Sequence, residues 1–158
     1  MRLVQYDTEL EGNLPRLVAE KEVCAEHNMP EYLDIPAKIV DVLNNSCQLN
    51  KKTEEHLYML ALNTKAIPIG IFLLAKGRGN VVCCSPREVY MKALLSGAMG
   101  IILIHNHPSG VAQVSQEDID LQKRMVEAGK LIGIELLDFI IVAGNTYFSS
   151  SEEEKKFP

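Results

Sequence analysis

One stretch near the middle of the chain decides the expected fold: GIILIHNHPSG at residues 100–110. Its apolar part, Ile101–Ile104, is a short unbroken run of strand-forming residues, which is typical of a strand buried on both faces. The polar residues that follow predict a loop, and Ser115 is expected to begin a helix that reaches Ala128–Gly129. The sequence therefore predicts a buried strand, a polar loop and a helix in direct succession.

Similar patterns on both sides of this stretch predict the remaining elements. We expect helices over residues 36–45 and 85–97, strands over residues 57–62, 67–74, 136–142 and 146–148, and a short strand that starts at residues 81–82. The strongest helix start is Ser85-Pro86-Arg87-Glu88, where the serine caps the helix and the glutamate completes a capping box. Strands mixed with helices predict an α/β fold with a single mixed sheet and flanking helices.

The two ends of the chain are expected to lie outside this domain, which we place at residues 36–150. Pro15 suits the first turn of a helix that runs to about His27, so residues 1–35 are predicted to form an N-terminal helical extension. Residues 151–158 are mostly serine, glutamate and lysine, and we expect them to form a flexible tail.

The composition limits the classes of function. The chain has 158 residues, which suits one domain, and its 16 Lys and Arg against 21 Asp and Glu give a net charge of −5. This balance disfavours a nucleic-acid partner but still allows a local basic groove. The apolar runs are too short to span a bilayer and no signal pattern is visible, so we expect a cytoplasmic protein without membrane contact. Four cysteines are predicted to be free thiols: Cys24, Cys47, Cys83 and Cys84.

Polar side chains gather directly after the central strand. His105 and His107 are two residues apart, so an extended chain points both imidazoles to the same side. Asp118 follows on the first turn of the next helix. Two imidazole nitrogens and one carboxylate oxygen are a usual ligand set for catalytic zinc, with a fourth position left for water. The simpler alternatives are ordinary surface or core histidines, and a plain capping box formed by Ser115 and Asp118.

The apolar stripe of this helix bears on the choice. Leu121, Met125, Ala128 and Ile132 follow one face, and Asp118 precedes them on the same line. A carboxylate that faces the buried side needs a cation or hydrogen-bond donors, because an unpaired buried charge is costly. A metal ion held with the two histidines would supply that cation.

The spacing of His105, His107, Ser115 and Asp118 matches the signature of JAMM zinc metallohydrolases at every position. Two flanking segments resemble the RadC family of bacterial JAMM-domain proteins. They are SPREV at residues 85–89 and LLDFIIV at residues 136–142. The resemblance covers roughly residues 36 to 150. It implies a JAMM or cytidine-deaminase-like sandwich.

The resemblance also implies a site and a reaction. His105, His107 and Asp118 would hold zinc, and the reaction would be hydrolysis of a peptide or isopeptide amide by zinc-activated water, with a peptide or protein conjugate as substrate. JAMM domains need an upstream glutamate to accept the water's proton, and Glu55 fits that pattern, with Glu54 as its rival. Ser115 would donate to the developing oxyanion. Arg87 is a weaker candidate, which would bind a substrate carboxylate or an internal acid.

Three departures from the family pattern are visible. Val114 stands where relatives have proline before the serine, and Phe139 stands where they have histidine after Leu-Asp. Residues 1–35 show no helix-hairpin-helix module of the kind that longer RadC proteins carry. Two alternative functions are kept: a binding module associated with DNA repair or mobile elements and without hydrolase activity, and an interaction domain in which zinc is only structural. The acidic balance and the missing module argue against direct DNA binding, and the presence of Ser115 and Glu55 argues against a purely structural zinc. The sequence does not indicate an oligomeric state.

Overall fold

The computed structural model describes residues 3–24, 33, 35–77 and 84–156. Within them lie seven strands and four helices, which are listed here in chain order. They are β1 Leu3–Glu11, β2 Leu14–Cys24, α1 Pro36–Cys47, β3 Glu55–Leu62, β4 Pro68–Gly77, α2 Pro86–Ser96, β5 Gly100–Asn106, α3 Gln116–Ile132, β6 Glu135–Ala143, β7 Thr146–Ser149 and α4 Ser150–Lys156. A short 3₁₀ helix, Leu49–Lys51, precedes β3.

The strands form one mixed sheet in the order β2-β1-β4-β3-β5-β6-β7. The pairs β1 with β4 and β5 with β6 are parallel, and the other neighbouring pairs are antiparallel. The single mixed sheet predicted from the sequence is therefore confirmed.

Helices cover both faces of the sheet. Alternate residues of β3 point to opposite sides, so Leu60 packs into one core cluster with Leu43 of α1. Met59 packs into a second cluster with Val89 of α2 and Leu121 of α3. The central strands are thus buried on both faces, which explains why they read as continuous apolar runs. The sandwich with flanking helices is confirmed.

The crossover from β5 through α3 to β6 positions the polar residues. Because β5 and β6 are parallel, the chain must return along the sheet, and α3 makes that return on the face that carries α2. The carboxyl end of β5 and the amino end of α3 therefore meet at one edge of the sheet. Crevices at the carboxyl ends of parallel strands are a common place for ligands in α/β sheets.

The N-terminal helix predicted from Pro15 is wrong, because residues 14–24 form strand β2. β1 and β2 are a hairpin that closes at Glu11 and Leu14, with Gly12 at a φ of 64° in the two-residue turn. Proline is tolerated here because β2 is an edge strand, where one side of the backbone has no partner. The Gly12-Asn13 pair was the available signal for this hairpin.

Helix α3 is also longer than predicted, since it continues past Gly129 to Ile132 and ends at Gly133, which has a φ of 81°. Gly129 has a packing role instead. A Cβ at this position would lie 2.5 Å from Tyr90 Oη and 2.4 Å from the carbonyl oxygen of Ile134. The glycine lets Tyr90 approach the helix and donate a hydrogen bond to the carbonyl oxygen of Met125 at 2.6 Å.

The tail predicted over residues 151–158 is instead helical as far as Lys156. Its start is fixed by Asp138 of β6, whose carboxylate accepts hydrogen bonds from Ser150 Oγ and Ser151 N–H. The strand predicted at residues 81–82 lies outside the described residues. Among the described residues, none of the helices combines the length and apolar character that crossing a bilayer requires. The domain boundaries at residues 36 and 150 stay a prediction.

Candidate metal centre

Two imidazoles meet at the end of β5. His105 lies within the strand and His107 directly follows it, so both side chains point to the same side, as predicted. Their Nε2 atoms are 3.0 Å apart and their ring centroids 4.9 Å apart. His105 is 1% exposed, so this meeting point is buried on the His105 side.

Asp118 closes the group from the first turn of α3. Its Oδ1 lies 3.1 Å from His105 Nε2, and its Oδ2 lies 3.5 Å from His107 Nε2. One ligand atom from each of the three residues falls within 4.8 Å of the others. Asp118 is 0% exposed, which confirms that it faces the buried side.

Asp118 forms the capping box that the sequence offered and still has an oxygen free of it. Its Oδ2 accepts hydrogen bonds from Ser115 N–H at 2.9 Å and from Ser115 Oγ at 2.7 Å, while Ser115 Oγ accepts from Asp118 N–H at 3.1 Å. These bonds are a complete capping box. They use only Oδ2, and the buried Oδ1 has no hydrogen-bond partner. The capping box therefore orients the carboxylate and leaves one oxygen directed at the histidines.

The second nitrogen of each imidazole differs in its surroundings. His107 Nδ1 lies 3.0 Å from the carbonyl oxygen of Val111. A carbonyl only accepts, so Nδ1 carries the proton and Nε2 offers a lone pair in the neutral ring, which is a usual arrangement for a metal-binding histidine. His105 Nδ1 is buried without a partner. The ring of Phe139 lies 5.3 Å from the His105 ring.

The pKa shifts reflect this packing. Burial disfavours the charged form of Asp118, but the two imidazoles and the Ser115 hydroxyl outweigh burial and hold its pKa well below the usual range. The contact with Asp118 raises the pKa of His107 against the opposing effect of burial. The centre is therefore built around an ionised carboxylate.

Glu55 lies beside this group, at the start of β3. Burial raises the pKa of its carboxyl above the usual value, the two histidines lower it in part, and the charge of Asp118 raises it further. Its Oε2 is buried and has no hydrogen-bond partner. The structure thus brings Glu55 within electrostatic range of His105, His107 and Asp118.

The donor set fits a zinc ion. Two imidazole nitrogens and a carboxylate oxygen are the ligand types of catalytic zinc sites. Tetrahedral ligands held about 2.1 Å from an ion stand about 3.4 Å from each other. His105 Nε2 lies near that spacing from both His107 Nε2, at 3.0 Å, and Asp118 Oδ1, at 3.1 Å. The 3.5 Å contact of His107 Nε2 is to the other carboxylate oxygen, Oδ2. The unpaired Oδ1 of Asp118 is a buried acceptor that a cation would satisfy.

The other predicted residues differ in position. Ser115 is at the site, but its hydroxyl proton is directed at Asp118. Arg87 is exposed on the first turn of α2 and makes no hydrogen bond or ion pair with any residue that the structure describes. Cys47 and Cys84 are free thiols, as predicted, and burial raises the pKa of Cys84 to about 11. Cys83 and the side chain of Cys24 lie outside the part of the chain that the structure describes.

Sequence reasoning missed Asn106, which lies between the two histidines. Its side chain points to the other side and is 2% exposed. There it forms hydrogen bonds with the backbone on both sides of Glu55, at Glu54 and His56. The alternation of side chains along a strand was the one available signal, and it could not reveal a partner 50 residues earlier in the chain.

A cavity of about 420 Å³ opens beside His107. It is lined by His107, Pro108 and Gly110 on one side and by residues 50–53 on the other. Its size is in the range of ligand pockets. A ligand in this cavity would lie next to the candidate metal ligand.

Comparisons with known proteins agree with this architecture. The family model described as the RadC-like JAB domain matches residues 33–156. The chain is 48% identical to a UPF0758 protein of Clostridium acetobutylicum over 106 residues, which are 67% of this chain and 46% of that protein. It is 34% identical to a UPF0758 protein of Staphylococcus haemolyticus over 136 residues, which are 86% of this chain and 59% of that protein. The chain thus spans about half the length of these relatives, whose names state no activity.

Proposed function

We propose that this chain, which belongs to the RadC-like JAB domain family, is a zinc-dependent hydrolase of peptide or isopeptide amide bonds. One observation carries the proposal. Three ligand atoms of His105, His107 and Asp118 converge within 4.8 Å, with a buried, unpaired glutamate beside them. A purely structural zinc site has no need for that glutamate.

His105, His107 and Asp118 would hold the zinc ion. When bound, zinc acts as a Lewis acid that lowers the pKa of a water ligand and polarises a carbonyl group. The protein contributes orientation: Val111 fixes the tautomer of His107, and the capping box fixes the carboxylate of Asp118. Groups held in this way need no rearrangement during the reaction.

Glu55 would act as the general base and acid. Its burial raises the pKa of the carboxyl towards neutrality, which suits a group that accepts a proton from water and later delivers it to the leaving amine. Because its Oε2 makes no hydrogen bond within the described part of the chain, it is available for that transfer.

Ser115 is proposed to support the reaction in one of two ways. Its hydroxyl donates to Asp118 in the structure, so it would either tune that carboxylate or turn its proton towards the oxyanion of the substrate. The cavity beside His107 would receive the peptide segment next to the scissile bond.

The test is hydrolysis of a mixed peptide library by the zinc-loaded protein, with products identified by mass spectrometry. The library includes ordinary peptides and peptides joined through a lysine side-chain amide. We expect cleavage that a chelator abolishes and zinc restores. Glu55→Gln should retain zinc and lose at least about 100-fold in rate, which is typical for loss of a general base.

Glu54→Gln is the matched control, since it makes the same change one residue earlier and should retain both zinc and activity. Unchanged hydrolysis by Glu55→Gln, or cleavage that persists without metal, would overturn the proposal. The alternative of a nucleic-acid-binding module stays a prediction. Retention on DNA that weakens with salt, in a protein that cleaves no peptide, would favour it.

A further inference from the structure

We infer that Asn106 is a positioning residue that holds Glu55 against the His105–His107–Asp118 centre. The inference rests on the proposed function, because it assigns Asn106 a role in the reaction through Glu55. It concerns a side chain that makes no contact with the candidate ligand atoms.

The sheet leaves the start of β3 without backbone pairing to β5. The antiparallel ladder between these strands runs from Leu62 opposite Gly100 to Leu57 opposite His105. Glu55 lies two residues beyond its last pair. Two residues after His105, just past the end of β5, the amide of His107 donates instead to the carbonyl oxygen of Val142 in β6 at 2.8 Å. Main-chain pairing with β5 therefore cannot fix Glu55.

Asn106 supplies the missing connection with its side chain. His56 N–H donates to Asn106 Oδ1 at 2.8 Å, and Asn106 Nδ2 donates to the carbonyl oxygens of Glu54 at 3.2 Å and Lys52 at 3.5 Å. The bonds to residues 54 and 56 bracket Glu55. They fix the backbone immediately before and after the proposed base.

The backbone of Glu55 is paired with Gly77 of β4 on one side, and Asn106 anchors it on the side that faces β5. The buried Oε2 of Glu55 has no hydrogen-bond partner, so that oxygen has no local contact that would orient it. Asn106 lies between His105 and His107, and a displacement of its backbone would move the ligands as well. One tripeptide thus determines the position of two candidate ligands on one side and of the proposed base on the other.

The chemistry of asparagine explains the choice of residue. The group at this position must accept from one amide and donate to carbonyl oxygens at the same time, and a neutral carboxamide does both. Aspartate could still accept from His56 but could not donate to Glu54. Alanine could do neither, and it would leave buried polar groups unpaired.

The test compares Asn106→Ala and Asn106→Asp with Asn63→Ala. Asn63 is a matched control because it is the same residue type at the opposite end of β3. Its Oδ1 accepts from the amides of Lys65 at 2.9 Å and Ile67 at 3.1 Å, far along the strand from the centre. Zinc content, hydrogen exchange of the His56 amide, and kcat and KM on a peptide identified in the library assay are measured for each variant.

We expect Asn106→Ala to lower kcat about 10- to 100-fold with KM and zinc stoichiometry unchanged, since a displacement near 1 Å can reduce a rate by that factor. Its His56 amide should exchange at least 10-fold faster. Asn106→Asp should lower kcat by a smaller factor, because its side chain still accepts a hydrogen bond from the His56 amide. In a Glu55→Gln background, Asn106→Ala should have no further effect on the residual rate. Asn63→Ala should leave kcat unchanged.

Three results would overturn the inference: an unchanged His56 exchange rate, loss of zinc together with activity, or an equal loss of rate in the Glu55→Gln background. Failure of the proposed function is distinguishable from these. In that case Glu55→Gln itself has no effect on hydrolysis, whereas the exchange of the His56 amide still reports whether Asn106 anchors the strand.

Discussion

Two buried aspartates show how the same side chain is used for structure and for a candidate reaction. Asp118 lies in the first turn of α3 beside the two histidines, and Asp138 lies in β6 beside the start of α4. They are 0% and 5% exposed, and each accepts hydrogen bonds at the first turn of a helix. They differ in whether their hydrogen-bonding capacity is filled.

Asp138 is satisfied within the protein. Its Oδ1 accepts from Phe139 N–H at 2.8 Å, Ser150 Oγ at 3.0 Å and Ser151 N–H at 3.0 Å, and its Oδ2 accepts from Ser149 Oγ at 2.7 Å. All four contacts are donors, so the carboxylate has no need of a cation. Its surroundings indicate a purely structural role.

Asp118 is satisfied on one oxygen only. Ser115 fills Oδ2, whereas Oδ1 faces an imidazole nitrogen without a hydrogen bond. A buried acceptor without a donor destabilises a fold unless something else binds it. Burial alone therefore does not mark Asp118 as a candidate ligand, whereas its unfilled acceptor oxygen beside two histidines does.

The largest expected effect is on zinc binding. Asp118→Asn should weaken zinc binding by more than about 100-fold. Even substitutions of residues that only hydrogen-bond to metal ligands weaken metal binding by about 10- to 100-fold. His107→Ala should lose zinc in the same way. Asp138→Asn should bind one zinc per chain with unchanged affinity. Competition with a zinc-sensitive dye measures all three, and equal affinities for the two asparagine variants would remove the distinction between the aspartates.

The second effect is on folding stability, to which Asp138 should contribute more than Asp118. Asp138→Ala leaves the Ser151 amide and the Ser150 hydroxyl without the acceptor that they have in the wild type, so the free energy of unfolding should fall by about 2 to 4 kcal/mol. Excess zinc should still stabilise this variant as it does the wild type, by about 2.7 kcal/mol at 100 times the dissociation constant. Urea denaturation with and without zinc tests this. Loss of the zinc increment in Asp138→Ala would contradict the assignment.

The third effect is a pH dependence of the metal-free protein. Folding lowers the pKa of Asp118, so the stability that this group contributes is present above about pH 4 and is lost as pH falls towards its folded pKa. Folding raises the pKa of His107, so its contribution is present below about pH 6.5 and is lost as pH rises through the folded value. The His107–Asp118 pair should therefore contribute most between these limits.

Urea denaturation from pH 3 to pH 9 measures this profile, and each pKa unit between the folded and unfolded states corresponds to about 1.4 kcal/mol. His107→Gln should remove the alkaline decline, while Asp138→Asn should leave it in place. A wild-type profile that matches that of His107→Gln would show that the pair is not coupled. Zinc affinity should show the opposite trend and rise with pH, because the metal displaces a proton from His107.

The smallest effect separates a helix cap from a support for the metal centre. Ser115 and Ser85 both form capping boxes, at α3 and α2 respectively. Replacing either with alanine should lower the free energy of unfolding by about 1 kcal/mol. Only Ser115→Ala should also lower the affinity for zinc, by about 10-fold, because Ser115 Oγ orients the carboxylate of Asp118. An equal loss of zinc affinity in both variants would show that Ser115 only caps the helix.

The features that local chemistry determines could be predicted. The capping boxes at Ser85 and Ser115 involve residues three apart, and the buried strands follow from their apolar runs. The candidate ligands were found because His105 and His107 share one face of a strand and Asp118 shares the stripe of Leu121. Their distances could not be predicted, because these depend on how α3 packs on the sheet.

The errors concern contacts between distant segments. The sequence of β2 is compatible with a helix, and it forms a strand because β1 pairs with it through the tight turn at Gly12. Gly129 resembles a helix end until Tyr90 packs against it. Asn106 was read as part of a loop, since its partners lie 50 and 52 residues away. Pairing partners of this kind override local propensity.

The central claim is that His105, His107 and Asp118 together hold one zinc ion. Crystals of the protein grown with one equivalent of zinc would be measured on both sides of the zinc absorption edge. We expect a single strong anomalous difference peak in contact with both Nε2 atoms and with a carboxylate oxygen of Asp118. A peak bound elsewhere, or none at that position in a protein whose imidazoles still face the carboxylate, would contradict it.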